Sequence, residues 1–353
     1  MMVVTKKNVL LSRFSNEPDN LLLTLLKSGY LTKFRINFLF VLCVIILHGG
    51  APIFAQQPTL ITNYMFTNMA INPAFAGSNG GICVTGLVRQ QWIGFKDADG
   101  AQTAPQVFML TVDSPIKFLH GGIGGSLYQD KLGYFKNIAL KLGYAYKMEA
   151  GGGDLSFGLQ VGLQNGEFDF SKFDVGQGAG NFSEDPALMD LSGKTSDMSF
   201  DIGAGILFKV PDKYYIGLSA DNLLQSKAKK IAYQLRRTYY LGGGYEWILP
   251  NHPAFELLPS VLFMYDGAAF QFNISALVMY NNKFYGGLGY RLQDAVSVLA
   301  GVSIKSLRIG VAYDISTSAL SKYNSGSFEV MVSYCFKIDT EKYRKSYRNT
   351  RFL

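Results

Sequence analysis

Residues able to carry chemistry are sparse in this sequence, and their spacing argues against catalysis. His120-Gly-Gly-Ile-Gly-Gly-Ser126 has the glycine density of a phosphate loop or an oxyanion-hole segment. It lacks the Gly-Lys-Ser/Thr ending and the following helix through which either would act, and reads instead as a glycine-lightened strand. Gly217-Leu-Ser219-Ala-Asp221 and Gly301-Val-Ser303-Ile-Lys305 each miss the final glycine on which the strained turn of a nucleophile elbow depends. Only His120 and His252 follow residue 55. Both fall at the periplasmic end of the architecture argued below, away from the outer leaflet where a barrel hydrolase would need its base. Cys83 and Cys335 are isolated, with no CxxC or HxxxH pattern, so no metal set is expected. Asp97 and Asp99 flank Ala98 without further oxygen ligands at calcium-loop spacing, which favours a solvated loop. The expectation is a protein that is not an enzyme and uses no cofactor.

The elements that would position any site are signalled first by composition. The chain of 353 residues is 48% hydrophobic and 14% aromatic but only 17% charged, with 38 Gly. A soluble domain carries about 25% charged residues, so part of this surface is expected to face something other than water. The formal charge of +7 is concentrated at the ends: residues 1–55 hold six basic and two acidic residues, and residues 339–353 hold five and two. The body between them has 22 of each sign, which argues against nucleic acid as a partner.

Lys33 and Arg35 precede the apolar run Phe38 to Leu47, and Ala51-Pro-Ile-Phe-Ala55 leads into Gln56-Gln57. This is the layout of a secretory signal peptide, with cleavage expected after Ala55. The run of about ten residues is too short for a spanning helix of about 20. Bulky Leu42 before Cys43 does not suit a lipoprotein site.

Beyond residue 55 a period of two takes over. In Leu155, Phe157, Leu159, Val161 and Leu163 every second residue is large and apolar, with small or polar residues between. The alternation recurs in Ile138 to Tyr146, Met198 to Phe208 and Phe270 to Tyr280. It predicts strands near 81–90, 104–113, 120–129, 137–147, 154–164, 197–209, 213–221, 236–248, 255–265, 268–280, 283–292, 294–304, 306–315 and 327–337. Long outer loops are expected at 91–103, 130–136, 165–196, 222–235 and 316–326, alternating with short periplasmic turns. An even strand count, this alternation and strands near the 9–11 residues of a tilted span together predict an all-β fold: a closed transmembrane antiparallel β-barrel of about 14 strands. A soluble β-sandwich shares the period, but its two sheets would struggle to bury so many aromatic faces. The expected organisation is a leader over 1–55, a periplasmic, plug-like segment over 56–79, the barrel over 80–338 and a basic tail over 339–353. Both termini are expected in the periplasm.

Parity places Arg89, Lys141, Gln160, Asp201, Glu246, Arg291, Arg308, Asp314, Glu329 and Lys337 inside, a mixed-sign set that fits paired plug charges or a wet pore. It also sends Cys83 and Cys335 inward on the first and last strands, which neighbour each other where a barrel closes. A disulfide is geometrically conceivable there, in a compartment that permits one. Two separate small buried side chains are the alternative. Lys227, Lys229 and Lys230, with Arg236 and Arg237 nearby, form a basic cluster in an outer loop. They suit either a solvated loop or contact with anionic lipopolysaccharide or a cargo carboxylate.

From residue 63 to 78, Asn-Tyr-Met-Phe-Thr-Asn-Met-Ala-Ile-Asn-Pro-Ala-Phe-Ala-Gly-Ser, the chain resembles the PorP/SprF family of type IX secretion outer-membrane proteins from Bacteroidota. Asn72-Pro73-Ala74 with Ala76-Gly77 is the most specific part. Arg89-Gln-Gln-Trp92, Ala104-Pro105-Gln106 toward Ser114-Pro115, Gly124 through Asp130-Lys-Leu-Gly133 and Tyr215-Ile-Gly217 through Asn222-Leu223-Leu224 continue the match. Leu307-Arg-Ile-Gly310 through Tyr313-Asp314 and Gly326-Ser327-Phe328-Glu329 complete it in order. Phe328 departs from the polar residue expected there, and the basic tail from Lys342 to Arg351 has no assigned counterpart.

The resemblance implies a noncatalytic role. The protein would act within the type IX secretion and gliding machinery, contacting its periplasmic or outer-membrane components, or as the outer-membrane partner of one secreted surface adhesin. Asn72, Pro73, Ala74, Ala76, Gly77, Arg89, Trp92, Asp130, Gly133 and Asn222 are the motif residues that could touch a partner. For Asn72-Pro73-Ala74 a rigid turn feeding the first strand is the favoured role, because proline fixes φ and biases Asn72 to extended backbone. A passive channel for hydrophobic or small polar solutes, similar to fatty-acid channels, is the rival function.

Overall fold

The computed structural model describes residues 60–337, apart from 98, 99, 101, 171–192 and 232. The expected leader, its cleavage site, residues 56–59 and the basic tail lie outside the described residues. So does Asp99.

Fourteen antiparallel strands close on themselves. In chain order they are β1 (Gly81–Gln90), β2 (Gln106–Ile116), β3 (Gly121–Leu132), β4 (Phe135–Ala150), β5 (Gly153–Asp169), β6 (Lys194–Val210) and β7 (Tyr214–Asp221). They continue with β8 (Thr238–Tyr245), β9 (Phe255–Tyr265), β10 (Phe270–Tyr280), β11 (Phe284–Arg291), β12 (Ala295–Ile304), β13 (Leu307–Ser316) and β14 (Ser327–Lys337). Every strand pairs with its sequence neighbours. The ring closes through a ten-pair ladder between β1 and β14, running from Gly81 opposite Lys337 to Gln90 opposite Phe328.

Side-chain parity follows the pleat. On β5, Phe157, Leu159, Val161 and Leu163 are exposed while Ser156, Gly158 and Gln160 are buried. The same apolar-out pattern runs round the ring, through Phe200, Ile216, Leu241, Phe263, Ile274, Leu288, Val298 and Val332. Such a belt is stable only against lipid. Among the described residues no helix is long and apolar enough to cross a membrane.

The structure corrects the sequence reading in three places. The expected loop 130–136 is mostly strand, because β3 and β4 pair to Leu132 opposite Phe135 and turn within two residues at Gly133 (φ +59°). The expected strand 236–248 breaks at Glu246, leaving Trp247–Ile248 as a short continuation paired to β9. Strands β4, β5 and β6 have 16, 17 and 17 residues, well beyond a span, so their ends reach past the belt together with the β3–β4 hairpin.

Candidate functional site

Inside the ring lies a folded plug, made of residues that precede β1. Three single-turn 3-10 helices, Tyr64–Phe66, Asn68–Ala70 and Pro73–Phe75, pack inside the ring. The third is written locally. Asn72 is extended (φ −138°, ψ 114°), its Oδ1 accepts from the Ala74 N–H at 2.9 Å, and Pro73 occupies the first helical position, where its missing N–H costs nothing. The same Asn72 side chain donates from Nδ2 to the Ile206 and Leu218 carbonyls on β6 and β7, at 3.1 and 3.3 Å. Ser219 returns a bond to the Ile71 carbonyl at 2.9 Å.

Glycines make the fit possible. Gly77 has φ +67°, and a Cβ on it would lie 2.8 Å from the Pro115 Cα. Its N–H donates to Asp113 Oδ2 at 3.0 Å. On β5, a Cβ at Gly158 would come within 2.2 Å of the Ala74 backbone nitrogen, so only glycine lets the wall and the plug touch.

Above this turn the plug is tied to a buried charge cluster. Arg89 on β1 meets Asp314 on β13 at 2.6 Å and Glu329 on β14 at 3.2 Å. Arg291 on β11 meets the same Asp314 at 3.3 Å and Asp294 at 3.0 Å. Thr62 sits at the centre: its Oγ accepts from both guanidinium groups, each at 3.0 Å, and donates to Asp314 at 2.9 Å. The hydroxyl thereby uses both acceptor positions and its one donor. Glu329 receives the Thr62 and Asn63 backbone N–H groups and the Asn63 amide, at 2.7–2.9 Å. Arg89, Asp314 and Glu329 are each at most 1% exposed. The two positive and two negative buried groups cancel, as burial of charge requires.

The same face of the β1–β14 seam carries four inward links, the last of them the Arg89–Glu329 pair of the charge cluster. Cys83 and Cys335 are opposite in register and joined by a disulfide, with Cα atoms 4.0 Å apart. Thr85 and Ser333 hydrogen-bond at 2.8 Å, Leu87 packs with Met331, and Arg89 faces Glu329. Phe328, the departure noted in the sequence, points to the lipid face at 42% exposure, since its neighbour Glu329 takes the interior.

At the end bearing the longer connections, the lumen widens into a cavity of about 370 Å³. Leu60, Tyr64, Tyr128, Asp130, Phe135, Asn137, Lys141, Tyr240 and Leu262 line it, the Lys141 ammonium being paired with Asp221. The β7–β8 connection folds over its rim. Lys227–Ala228 pairs with Tyr233–Gln234, Asp201 accepts the Leu224 and Ser226 N–H groups at 3.0 and 3.1 Å, and the Tyr233 ring packs tilted against Phe135 with centroids 5.0 Å apart. Burial pushes the Tyr233 hydroxyl above its usual pKa.

The structure therefore separates the residues singled out from sequence. Asn72, Ala74 and Ala76, at 3%, 0% and 1% exposure, and buried Pro73 hold the plug; in this arrangement their side chains have no surface to offer a partner. Arg89 belongs to the charge cluster. Trp92 (φ +49°) ties the β1–β2 connection to β14 through its N–H to Ser327 Oγ at 3.1 Å. Asp130 lines the cavity, Gly133 turns the hairpin, and Asn222 (φ +53°) closes the β7–β8 connection onto the Arg236 carbonyl at 3.1 Å. The basic cluster divides: Lys227, Lys229 and Lys230 are exposed, Arg236 lines the cavity, and Arg237 is spent on the Leu223 carbonyl at 2.7 Å. Sequence reasoning missed Thr62, Asn63 and Asn137. Asn63 opens the Asn-Tyr-Met-Phe motif and Thr62 immediately precedes it, which was the available signal.

The sequence model of the family described as "Type IX secretion system membrane protein PorP/SprF" matches residues 53–334. No curated protein matches the chain. Among solved structures the chain is similar to a TodX deltaS2S3 mutant monoaromatic hydrocarbon channel, at 13% identity and TM-score 0.49, over 76% of this chain and 94% of that one. It is also similar to the Ralstonia pickettii toluene transporter TbuX, at 13% identity and TM-score 0.46, over 75% and 92%. The Pseudomonas putida toluene transporter TodX matches at 11% and 0.46, over 80% and 95%. With the barrel, its lipid-facing belt and the motif-built plug in place, the family match over residues 53–334 is decisive: the chain belongs to the PorP/SprF family of type IX secretion system outer-membrane proteins.

Proposed function

We propose that the protein is a noncatalytic component that works by holding protein partners, either subunits of the type IX machinery or one exported surface adhesin. In this reading the longer connections face outward, the short turns face the periplasm, and exposed Lys227, Lys229 and Lys230 offer charge to lipopolysaccharide or a partner carboxylate. The observation that carries the proposal is the anchored plug. A lumen filled from Thr62 to Gly77 and tied by a neutral buried charge cluster suits a rigid platform better than a conduit. The cavity above the plug favours the rival, a passive channel for small hydrophobic solutes.

Deletion of the coding sequence, followed by quantitative proteomics of surface and culture medium, separates the two. The platform reading expects loss of one or a few surface proteins. If every surface protein stays in place and uptake of a small hydrophobic nutrient falls, the channel reading replaces it.

A further inference from the structure

We infer that the plug is the template on which the barrel closes, and that the Cys83–Cys335 disulfide is a latch set after β14 has met β1 over it. The pairing that completes the ring joins the two strands farthest apart in sequence, and the two cysteines, opposite in register, are separated by 252 positions. Bringing such ends together carries the largest loop-closure cost in the fold. A segment that binds both edges lowers it.

Ile61-Thr62-Asn63 is such a segment. Ile61 shares one buried apolar cluster with Leu87 of β1 and Met331 of β14. The Thr62 hydroxyl accepts from Arg89 on β1 at 3.0 Å, while the Thr62 and Asn63 N–H groups and the Asn63 amide donate to Glu329 on β14. Three of the four groups that donate to buried Glu329 thus come from the plug, and the fourth is the Arg89 guanidinium. A seam closed over an empty lumen would bury this carboxylate with one donor in place of four, so closure over a seated plug is the favoured order.

The packing gives the same order. Wall and plug touch at Gly158, where a Cβ would overlap the Ala74 nitrogen, at Gly124 against Met69 and at Gly205 against Asn72. Laid on an open sheet, the segment reaches these glycines from free space. Entering a finished ring, it would have to be threaded past them from the short-turn end up to Thr62.

Oxidation comes last. Cys83–Cys335 is the third of the ten pairs counted from Gly81–Lys337, so the thiols meet when the strands are in register at the short-turn end. They pass two electrons and two protons to an oxidised dithiol protein of the compartment at that end, whose own disulfide becomes two thiols, by way of a mixed disulfide. The latch then holds the seam, and a molecule in the lumen has no way out between β1 and β14. None of this depends on which partner the protein serves.

The test uses the full chain, pulse-labelled during export to the outer membrane, with free thiols blocked at intervals by a maleimide. Two-dimensional gels, unheated in the first direction and heated without reductant in the second, sort compact from unfolded and oxidised from reduced chains. In the wild type every oxidised chain should be compact. Thr62→Val combined with Asn63→Leu should slow the appearance of oxidised chains about tenfold. Asp201→Ala, which frees the β7–β8 connection on the opposite side of the ring, should slow it by less than about twofold. If the double variant yields no compact barrel, Asn63→Ala alone, which removes one donor to Glu329, should give an intermediate delay. Oxidised but unfolded wild-type chains would overturn the inference. So would oxidation of the plug variants at the wild-type rate, or equal slowing by Asp201→Ala.

Discussion

Thr62 shows how a single hydroxyl can organise an interior. Its one donor and two acceptor positions are all used within the Arg89, Arg291 and Asp314 set, and its backbone N–H goes to Glu329. Removing one partner from such a buried network leaves an uncompensated charge, a loss of about 3–5 kcal/mol. Glu329→Ala is therefore expected to lower the denaturant midpoint of the purified barrel markedly. Glu329→Gln keeps one acceptor oxygen, but it removes the charge and turns an NH2 toward groups that are themselves donors, so it too is expected to lower the midpoint. Gly158 poses the complementary case, since any Cβ there collides with the Ala74 nitrogen. Gly158→Leu is expected to unseat the plug while leaving the strand ladders intact. Single-channel recording in planar bilayers checks this: the wild-type protein should be nearly silent and the variant conductive.

At the scale of elements, the β1–β14 seam is the place where a barrel is made or lost. Its ten-pair ladder is reinforced by the Cys83–Cys335 disulfide, which closes a loop with a sequence separation of 252. A cross-link of that span removes unfolded-state entropy worth about 5 kcal/mol in the chain-entropy description. The double substitution Cys83→Ser with Cys335→Ser is expected to yield a folded barrel, because the ladder, Thr85–Ser333 and Arg89–Glu329 remain. Its heat-modifiable band should shift at a lower temperature. Reducing agent added to the wild-type protein during heating should reproduce that shift.

For the whole molecule, the plug in the lumen and the structured rim leave the surface at the long-loop end as the region where, on the platform reading, a partner would bind. Lys227, Lys229 and Lys230 sit there exposed, whereas Arg237 is held by a loop carbonyl. Exchanging the three lysines for glutamine is expected to leave thermal stability within about 0.5 kcal/mol, as for most surface changes. On the platform reading it should weaken partner co-purification, and the wild-type interaction should itself weaken as salt rises. Arg237→Gln is expected instead to loosen the rim, which limited proteolysis of the β7–β8 connection would register.

What the sequence determined by itself is everything that depends on the two-residue repeat. Because successive strand side chains point to opposite faces, Phe157 to Leu163 had to face lipid, and Cys83, Arg89, Glu329 and Cys335 had to face inward. Connectivity between neighbouring strands followed from short turns, and the family was legible in the ordered motifs from Asn63 to Glu329. Only the tertiary structure decided what the inward faces meet. Shear sets which residues on distant strands share a height, so the convergence of Arg89, Arg291, Asp314 and Thr62 from four chain regions has no local signature. The same holds for Gly158 beside Ala74: the glycine was visible as a lightened position, but its need arises from a backbone that arrives from 84 residues earlier in the chain. Asn72-Pro73-Ala74 read locally as a turn, and it is one. Its place inside the ring comes from the wall glycines and carbonyls that receive it.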